Sequence, residues 1–183
     1  MKISLTHVPH ISTKISIDLS RSGYVTMTEG LERVAQEAEK VLEESVKQER
    51  ALDERVEEIL EEHMDDIDDN MADERQLFYM IKRKIAADYG VMMSYEDRFS
   101  DISHKILDAI YEEDLIAYDV PENKLKNIIN DSLTGYIADN DEIQDAVMTK
   151  IRSYKRKIIP GTDDFEILYE KLYSEELTKR GMA

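Results

Sequence analysis

The chain has 183 residues, a formal net charge of −17, no cysteine, and few glycines or prolines. This length allows one domain or two small ones, the composition favours helix, and the charge argues against non-specific binding of nucleic acid or anionic lipid by the whole surface. Because cysteine, a signal-peptide-like N-terminus and any long uncharged apolar run are absent, we expect a cytoplasmic protein without disulfides, thiolate metal sites or membrane spans.

The first segment predicts one helix and little else. Residues 2–5 are long enough only for a short strand or an extended arm. Apolar residues at helical spacing then predict a helix that begins at Pro9 and ends near Ser22. Residues 24–25 form a short apolar connector, and Thr28 is the predicted N-cap of the next helix.

Residues 29–74 form the most acidic stretch of the chain, with 19 acidic and 5 basic residues. Apolar residues recur through it at steps of three and four, the spacing of one helix face. Members of this stripe are Leu31, Val34, Ala35, Ala38, Val41, Leu42, Val46, Leu52, Val56, Ile59, Leu60, Met64 and Ile67. The pattern predicts either one long acidic amphipathic helix or two helices that meet near Ala51.

Five further helices are predicted after this stretch. A helix begins after Asp73 and ends at Gly90, a glycine suited to a helix C-terminus. Gly135 and the Asp139-Asn140 pair predict breaks in the second half of the chain. The predicted helices there cover residues 99–113, 121–135, 140–157 and 165–179. Core positions are predicted at Leu60, Ile81, Ile106 and Leu172.

The sequence also predicts an internal repeat. The segment ISTKI at 11–15 returns as ISHKI at 102–106, an offset that also places Gly90 on Gly181. We therefore expect an all-α protein of two tandem, duplicated helical units, residues 1–94 and 95–183, packed together.

No catalytic residue, metal or cofactor is predicted. The acidic run 58–69 contains His63, but the Glu-x-x-His pairs of a helical di-metal site are absent, so a solvated face is favoured over a metal site. His7, His10 and His104 lack partners at a convincing spacing. Nucleophile-elbow and glycine-rich phosphate-binding motifs are absent as well.

Residues 147–162 carry the sharpest charge contrast, with five cations and no acid. A solvated face or an internal counter-charge for the acidic helix would explain them, and so would an external anionic partner. A Pro160-Gly161-Thr162 turn could offer backbone N–H groups to such an anion. The residues of this tentative anion site are Lys150, Arg152, Lys155, Arg156, Lys157 and Thr162.

Three segments carry a resemblance to a known family. SYEDRFSDISHKILDAI, YKRKIIPGT and LYSEELTKRGM resemble segments of a bacterial family of unknown function, domain number five hundred and seven. The resemblance covers nearly the whole chain and implies a helical, cytoplasmic bacterial protein. It implies no activity, cofactor or catalytic residue.

Three functions compete on this basis. The first is a non-catalytic intracellular interaction protein that presents its acidic helix to a basic protein partner or to a second copy of itself. The alternative is a nucleic-acid or ribonucleoprotein accessory that binds through residues 147–162. A metal-dependent enzyme that uses the acidic run is the third.

Overall fold

The computed structural model describes residues 3–63, 73–154, 158–160 and 162–179. Within these ranges the protein is helical apart from one small sheet, which confirms the predicted all-α class in its main point. The elements are α1 (Val8–Arg21), β1 (Val25–Met27), α2 (Leu31–Glu62), α3 (Glu74–Ile85), α4 (Tyr95–Glu112), β2 (Ile116–Tyr118), α5 (Glu122–Ser153) and α6 (Asp163–Lys179). None of these described helices is long and apolar enough to cross a membrane.

The chain divides into two compact units, residues 1–131 and 132–183, and the division falls inside α5. The units predicted from the sequence, 1–94 and 95–183, describe a repeat rather than a contact boundary, and they stay a prediction.

The core of the first unit lies between α2 and the helices packed on it. α1 lies along α2, and α3 and α4 also contact it. Leu60 and Ile106 are buried as predicted, and burying a side chain of this size contributes about 1.5–3 kcal/mol. Ile81 is only partly buried, because its helix, α3, packs on α2 with one side and presents the other to solvent.

α2 is one uninterrupted helix from Leu31 to Glu62, so the alternative of two helices meeting near Ala51 is wrong. The predicted N-cap is wrong too, because Gly30 occupies that position. The Thr28 hydroxyl instead donates a hydrogen bond to the Asp114 carbonyl oxygen at 2.5 Å. The predicted continuation beyond residue 63 lies outside the described residues.

A short antiparallel sheet stands where the sequence predicted a connector. β1 pairs with β2, with Val25 opposite Tyr118, Thr26 opposite Ala117 and Met27 opposite Ile116. Residues 3–5 form no strand; a 3-10 turn covers Leu5–His7. Three-residue strands are too short to show an alternating pattern in the sequence, so this sheet was not predicted.

The breaks predicted at Gly135 and at Asp139-Asn140 are wrong, because α5 runs through them without interruption. Leu133 and Ile137 are buried on either side of Gly135, and this packing outweighs the low helix propensity of one glycine. The Asn140 side chain accepts a hydrogen bond from Tyr173 and caps no helix.

The second unit is built from the C-terminal part of α5 and from α6. Leu172 is buried as predicted. The Thr162 hydroxyl accepts a hydrogen bond from the Phe165 N–H, which supports the predicted start of the last helix. The buried apolar side chains of this unit are Ile143, Val147, Ile151, Leu172 and Leu177.

Candidate functional site: the charged surfaces around α2 and α4

The outer face of α2 carries a surplus of carboxylates. Residues 31–62 include twelve acidic and five basic residues, a net charge of −7 for the whole helix. Two of the acids, Glu49 and Asp53, face inward and pair with Arg98 and Lys82, so ten acids and five bases remain for the outer side. Every basic side chain of α2 pairs with a carboxylate three or four residues away, so its cations are used locally. These pairs are Arg33–Glu29 (3.3 Å), Lys40–Glu37 (2.6 Å), Lys47–Glu43 (2.7 Å), Arg50–Glu54 (2.8 Å) and Arg55–Glu58 (2.8 Å).

The surplus is greatest at the C-terminal end of α2. Four glutamates lie in its last two turns, and the last turn holds no basic residue. Arg55 pairs with Glu58 and lies 3.7 Å from Glu62, whereas the exposed Glu57 and Glu61 have no ion pair among the described residues. Carboxylates at a helix C-terminus are unfavourable by about 0.3–1 kcal/mol each, since the helix dipole is negative there.

The structure shows no metal centre in the part of the chain that it describes. Among those residues, no three histidine, aspartate or glutamate side chains are grouped so that they could hold an ion. The acidic run weighed from the sequence, 58–69, lies partly outside the described residues. His7 is half buried, and that burial, with the nearby His10, lowers the pKa of its imidazole.

A buried ion network joins α2, α3 and α4. The Glu49 and Arg98 side chains are 5% and 6% exposed, and Arg98 Nη1 lies 2.6 Å from Glu49 Oε2. Lys82 Nζ lies 2.6 Å from Asp53 Oδ1 and 3.6 Å from Glu49 Oε1. Arg98 Nη2 also donates to the Ser45 carbonyl and hydroxyl oxygens at 3.2 Å.

The network balances two acids with two bases in a place where unpaired charge would be costly. Glu49 Oε2 and Asp53 Oδ1 hold their cations at ion-pair distance without hydrogen-bond alignment. Sequence reasoning missed this cluster. One clue was available: the apolar stripe of α2 passes from Val46 to Leu52, and Glu49 fills the position between them.

The residues predicted to face an anion fall into three groups. Lys150 Nζ lies 3.1 Å from Glu176 Oε1, and this hydrogen bond lowers the pKa of Glu176. Arg152 is exposed, and the Thr162 hydroxyl is engaged at the start of α6, where it donates to the Ile159 carbonyl at 2.8 Å. Lys155, Arg156, Lys157 and Gly161 lie outside the described residues. Anion binding by this set stays a prediction.

A groove of about 510 Å³ runs along the outer face of α4. Four of its lining residues lie on α4 and are spaced three, one and three residues apart along the chain. This spacing places them on the side of the helix opposite its buried face. Lys126 Nζ lies 2.6 Å from His104 Nε2 and 3.5 Å from Glu122. The sequence had given His104 no partner, because Lys126 is 22 residues further along the chain. The lining residues are Met92, Asp97, Ser100, Asp101 and His104.

The second unit holds a neutral polar contact in its interior. Asn140, 7% exposed, accepts a hydrogen bond from the Tyr173 hydroxyl. Burial raises the pKa of Tyr173 to about 12. The Tyr173 ring stacks on Tyr169, which stacks on Phe165, with centroids 5.9 and 5.8 Å apart.

The comparison with known families adds membership but no activity. Residues 1–182 match the family described as Protein of unknown function (DUF507), and the chain belongs to that family. This confirms the resemblance seen in the three sequence segments. No curated protein matches the chain.

Proposed function

We propose that this member of a family without an assigned activity is a non-catalytic interaction protein of the bacterial cytoplasm. In this proposal, the outer face of α2 binds a cationic surface of a partner protein. The observation that carries it is the charge arrangement of α2: its cations are used in local pairs, and Glu57 and Glu61 remain at the helix end where carboxylates are least favourable.

The separation of a buried apolar face and an exposed charged face on α2 supports this proposal. Its inner face is buried in the core, with Val34, Leu42 and Val56 fully covered, while its charged face is exposed. A cationic partner would relieve the repulsion among the surplus carboxylates and would favour rapid association. The non-catalytic role rests on the sequence, which carries no catalytic motif.

Affinity capture from the native cell tests the proposal. We expect the wild type to retain a protein with a basic surface, in a salt-sensitive manner, and a Glu57→Gln/Glu61→Gln variant to lose it. Glu166→Gln/Glu170→Gln removes the same charge from exposed positions of α6 and is the matched control. Equal capture by both variants would contradict the proposal.

A second candidate function is nucleic-acid binding through residues 147–162. The favouring observation is that Arg152 and Tyr154 are both exposed, with 47% of Tyr154 accessible, since cations bind phosphates and an accessible aromatic ring can stack on a base. Titration with single-stranded RNA at several salt concentrations tests it. Binding that weakens with salt and is lost in Arg152→Gln/Lys155→Gln would support it.

We further propose that the chain arose by duplication of a helix–strand–helix–helix unit. The bounds of the elements support this origin. An offset of 91 (116 minus 25) carries β1 onto β2, and it carries Leu31–Glu62 onto Glu122–Ser153. The same offset carries the end of α1 at Arg21 onto the end of α4 at Glu112.

The interiors support the same origin. In the first copy, the buried side chains Leu52, Val56, Leu60 and Ala86 form one cluster. Their counterparts at the offset of 91 are Ile143, Val147, Ile151 and Leu177, which cluster in the second copy. The polar contact between Glu49 and Lys82 also has a counterpart, the hydrogen bond between Asn140 and Tyr173.

The register of the sheet points to an ancestral homodimer. Thr26 and Ala117 are counterparts and lie opposite each other. Val25 faces the counterpart of Met27, and Met27 faces the counterpart of Val25, the reciprocity of a two-fold contact between identical subunits. A crystal structure tests this origin: Cα atoms 25–62 should superpose on 116–153, and a failure to superpose would contradict it.

A further inference from the structure

A second acidic surface lies on α4, separate from the outer face of α2. Asp97, Ser100, Asp101 and His104 line the groove from the helix, and Met92 lines it from the preceding loop. Met92 is 45% exposed, and its chain neighbours Met93 and Tyr95 are 37% and 44% exposed. The surface therefore places carboxylates next to exposed apolar side chains.

The carboxylates of this groove are accessible to a new cation. Asp97 has no ion pair among the described residues. Asp101 Oδ2 lies 2.8 Å from Lys105 Nζ, with the lysine exposed and the aspartate partly exposed. An i,i+4 pair of this kind is worth only about 0.3–0.5 kcal/mol, so a new cation can replace the lysine. His104 forms one wall of the groove, and its Nε2 lies 2.6 Å from Lys126 Nζ.

We propose that this groove binds a basic, amphipathic segment of a partner protein. A Lys or Arg side chain of that segment would lie between Asp97 and Asp101, and an apolar neighbour would contact Met92 and Met93. Charge complementarity favours this occupant, because Asp97 has no ion pair among the described residues. The two lysines at this surface, Lys105 and Lys126, already lie within ion-pair distance of carboxylates. The exposed methionines add the polarizable apolar contact that adaptable peptide-binding surfaces use. The inference goes beyond the proposed role of α2 and does not rest on it.

Fluorescence anisotropy with a defined probe tests the groove. The probe is a labelled peptide of lysine and leucine arranged as an amphipathic helix, and the control peptide has glutamine in place of lysine. We expect the wild type to bind the first peptide only. Asp97→Asn/Asp101→Asn should weaken binding roughly fivefold, the effect of two exposed ion pairs, whereas Asp108→Asn/Asp119→Asn removes the same charge at exposed positions outside the groove and should leave the affinity unchanged.

The location of binding is measured independently by ¹⁵N NMR. Chemical-shift changes on peptide addition should centre on residues 92–104, and Glu57→Gln/Glu61→Gln should not alter them, which separates this groove from the α2 surface. Equal weakening in the groove and control variants would overturn the proposal. So would salt-sensitive self-association of the wild type that the groove variant loses, because the occupant would then be a second copy of the chain.

Discussion

Glu49 shows how one buried charge can be accommodated in a helical core by cations from neighbouring helices. It occupies a position of α2 that the apolar stripe would otherwise fill, and its charge is tolerated because Arg98 and Lys82 approach it from two other helices. Such buried pairs contribute little net stability compared with apolar packing, but the loss of one partner is costly. In this protein, the network ties α2, α3 and α4 together at one point.

Replacing Arg98 tests the network. We expect Arg98→Met to lower the free energy of unfolding by about 3 kcal/mol, because Glu49 stays buried with only the more distant Lys82 nearby. Arg83→Met on α3 removes the same charge from an exposed position and should change stability by less than about 0.5 kcal/mol. Urea unfolding followed by circular dichroism measures both. Equal effects of the two substitutions would show that the network does not stabilise the core.

Tyr173 gives the second unit a dependence on alkaline pH. Its pKa of about 12 in the folded chain exceeds the ordinary value of 10.0, so the unfolded chain loses the phenol proton first. The stability linked to this group is complete below pH 10 and falls as the pH rises toward 12. We expect wild-type helicity to decline across this window, and Tyr173→Phe to lack that component of the decline.

The exposed Tyr79 supplies the control for this pH prediction. Tyr79→Phe should leave the alkaline decline of helicity as in the wild type, because Tyr79 is 53% exposed and belongs to the first unit. Absorbance of tyrosinate, recorded with the circular dichroism, reports the ionisation itself. A Tyr173→Phe variant that titrates and unfolds like the wild type would contradict the assignment.

At the scale of elements, Gly135 and Gly90 have opposite roles although both are glycines near helices. Gly135 lies inside α5, and an added Cβ would meet no atom within 4 Å. Gly90 ends the helical segment that includes α3, with φ of 65°. Gly135→Ala should therefore stabilise the protein by about 0.4–1 kcal/mol, and Gly90→Ala should destabilise it. Thermal unfolding distinguishes the two; a shift of the same sign for both would contradict this account.

These glycines also show which elements can be predicted from the sequence and which cannot. The patterns predicted α1, the acidic α2, α3 and α6 because apolar spacing persists over many residues. They failed at α5, where Gly135 and Asn140 have the local chemistry of breaks but are held in the helix by packing and by Tyr173. The sheet and the ion network could not be predicted, since the partners of Val25 and Glu49 lie 93 and 49 residues away along the chain.

At the scale of the whole molecule, the duplication that we propose would explain why one chain carries two versions of one interior contact. The first copy uses charges, Glu49 and Lys82, where the second uses the neutral Asn140 and Tyr173. Two copies that share the same apolar core can differ in the identity of the buried polar pair, provided that each buried polar group keeps a hydrogen-bond or ion-pair partner. In the same proposal the charges would have diverged as well, since α2 has a net charge of −7 and the basic segment 147–162 falls in the second half of the chain.

The net charge of −17 should lower the stability of the fold, because like charges repel one another in a compact chain. Salt screens this repulsion. Glu57→Gln/Glu61→Gln changes the net charge to −15, and Arg152→Gln/Lys155→Gln changes it to −19. In low salt we expect the first variant to melt at a higher temperature than the wild type and the second at a lower one. Both differences should shrink as the Debye length falls from about 30 Å at 0.01 M to about 3 Å at 1 M salt. Melting temperatures that do not move apart in low salt would mean that the charges of these two segments are balanced locally, and that the acidic surplus of α2 does not act on the fold as a whole.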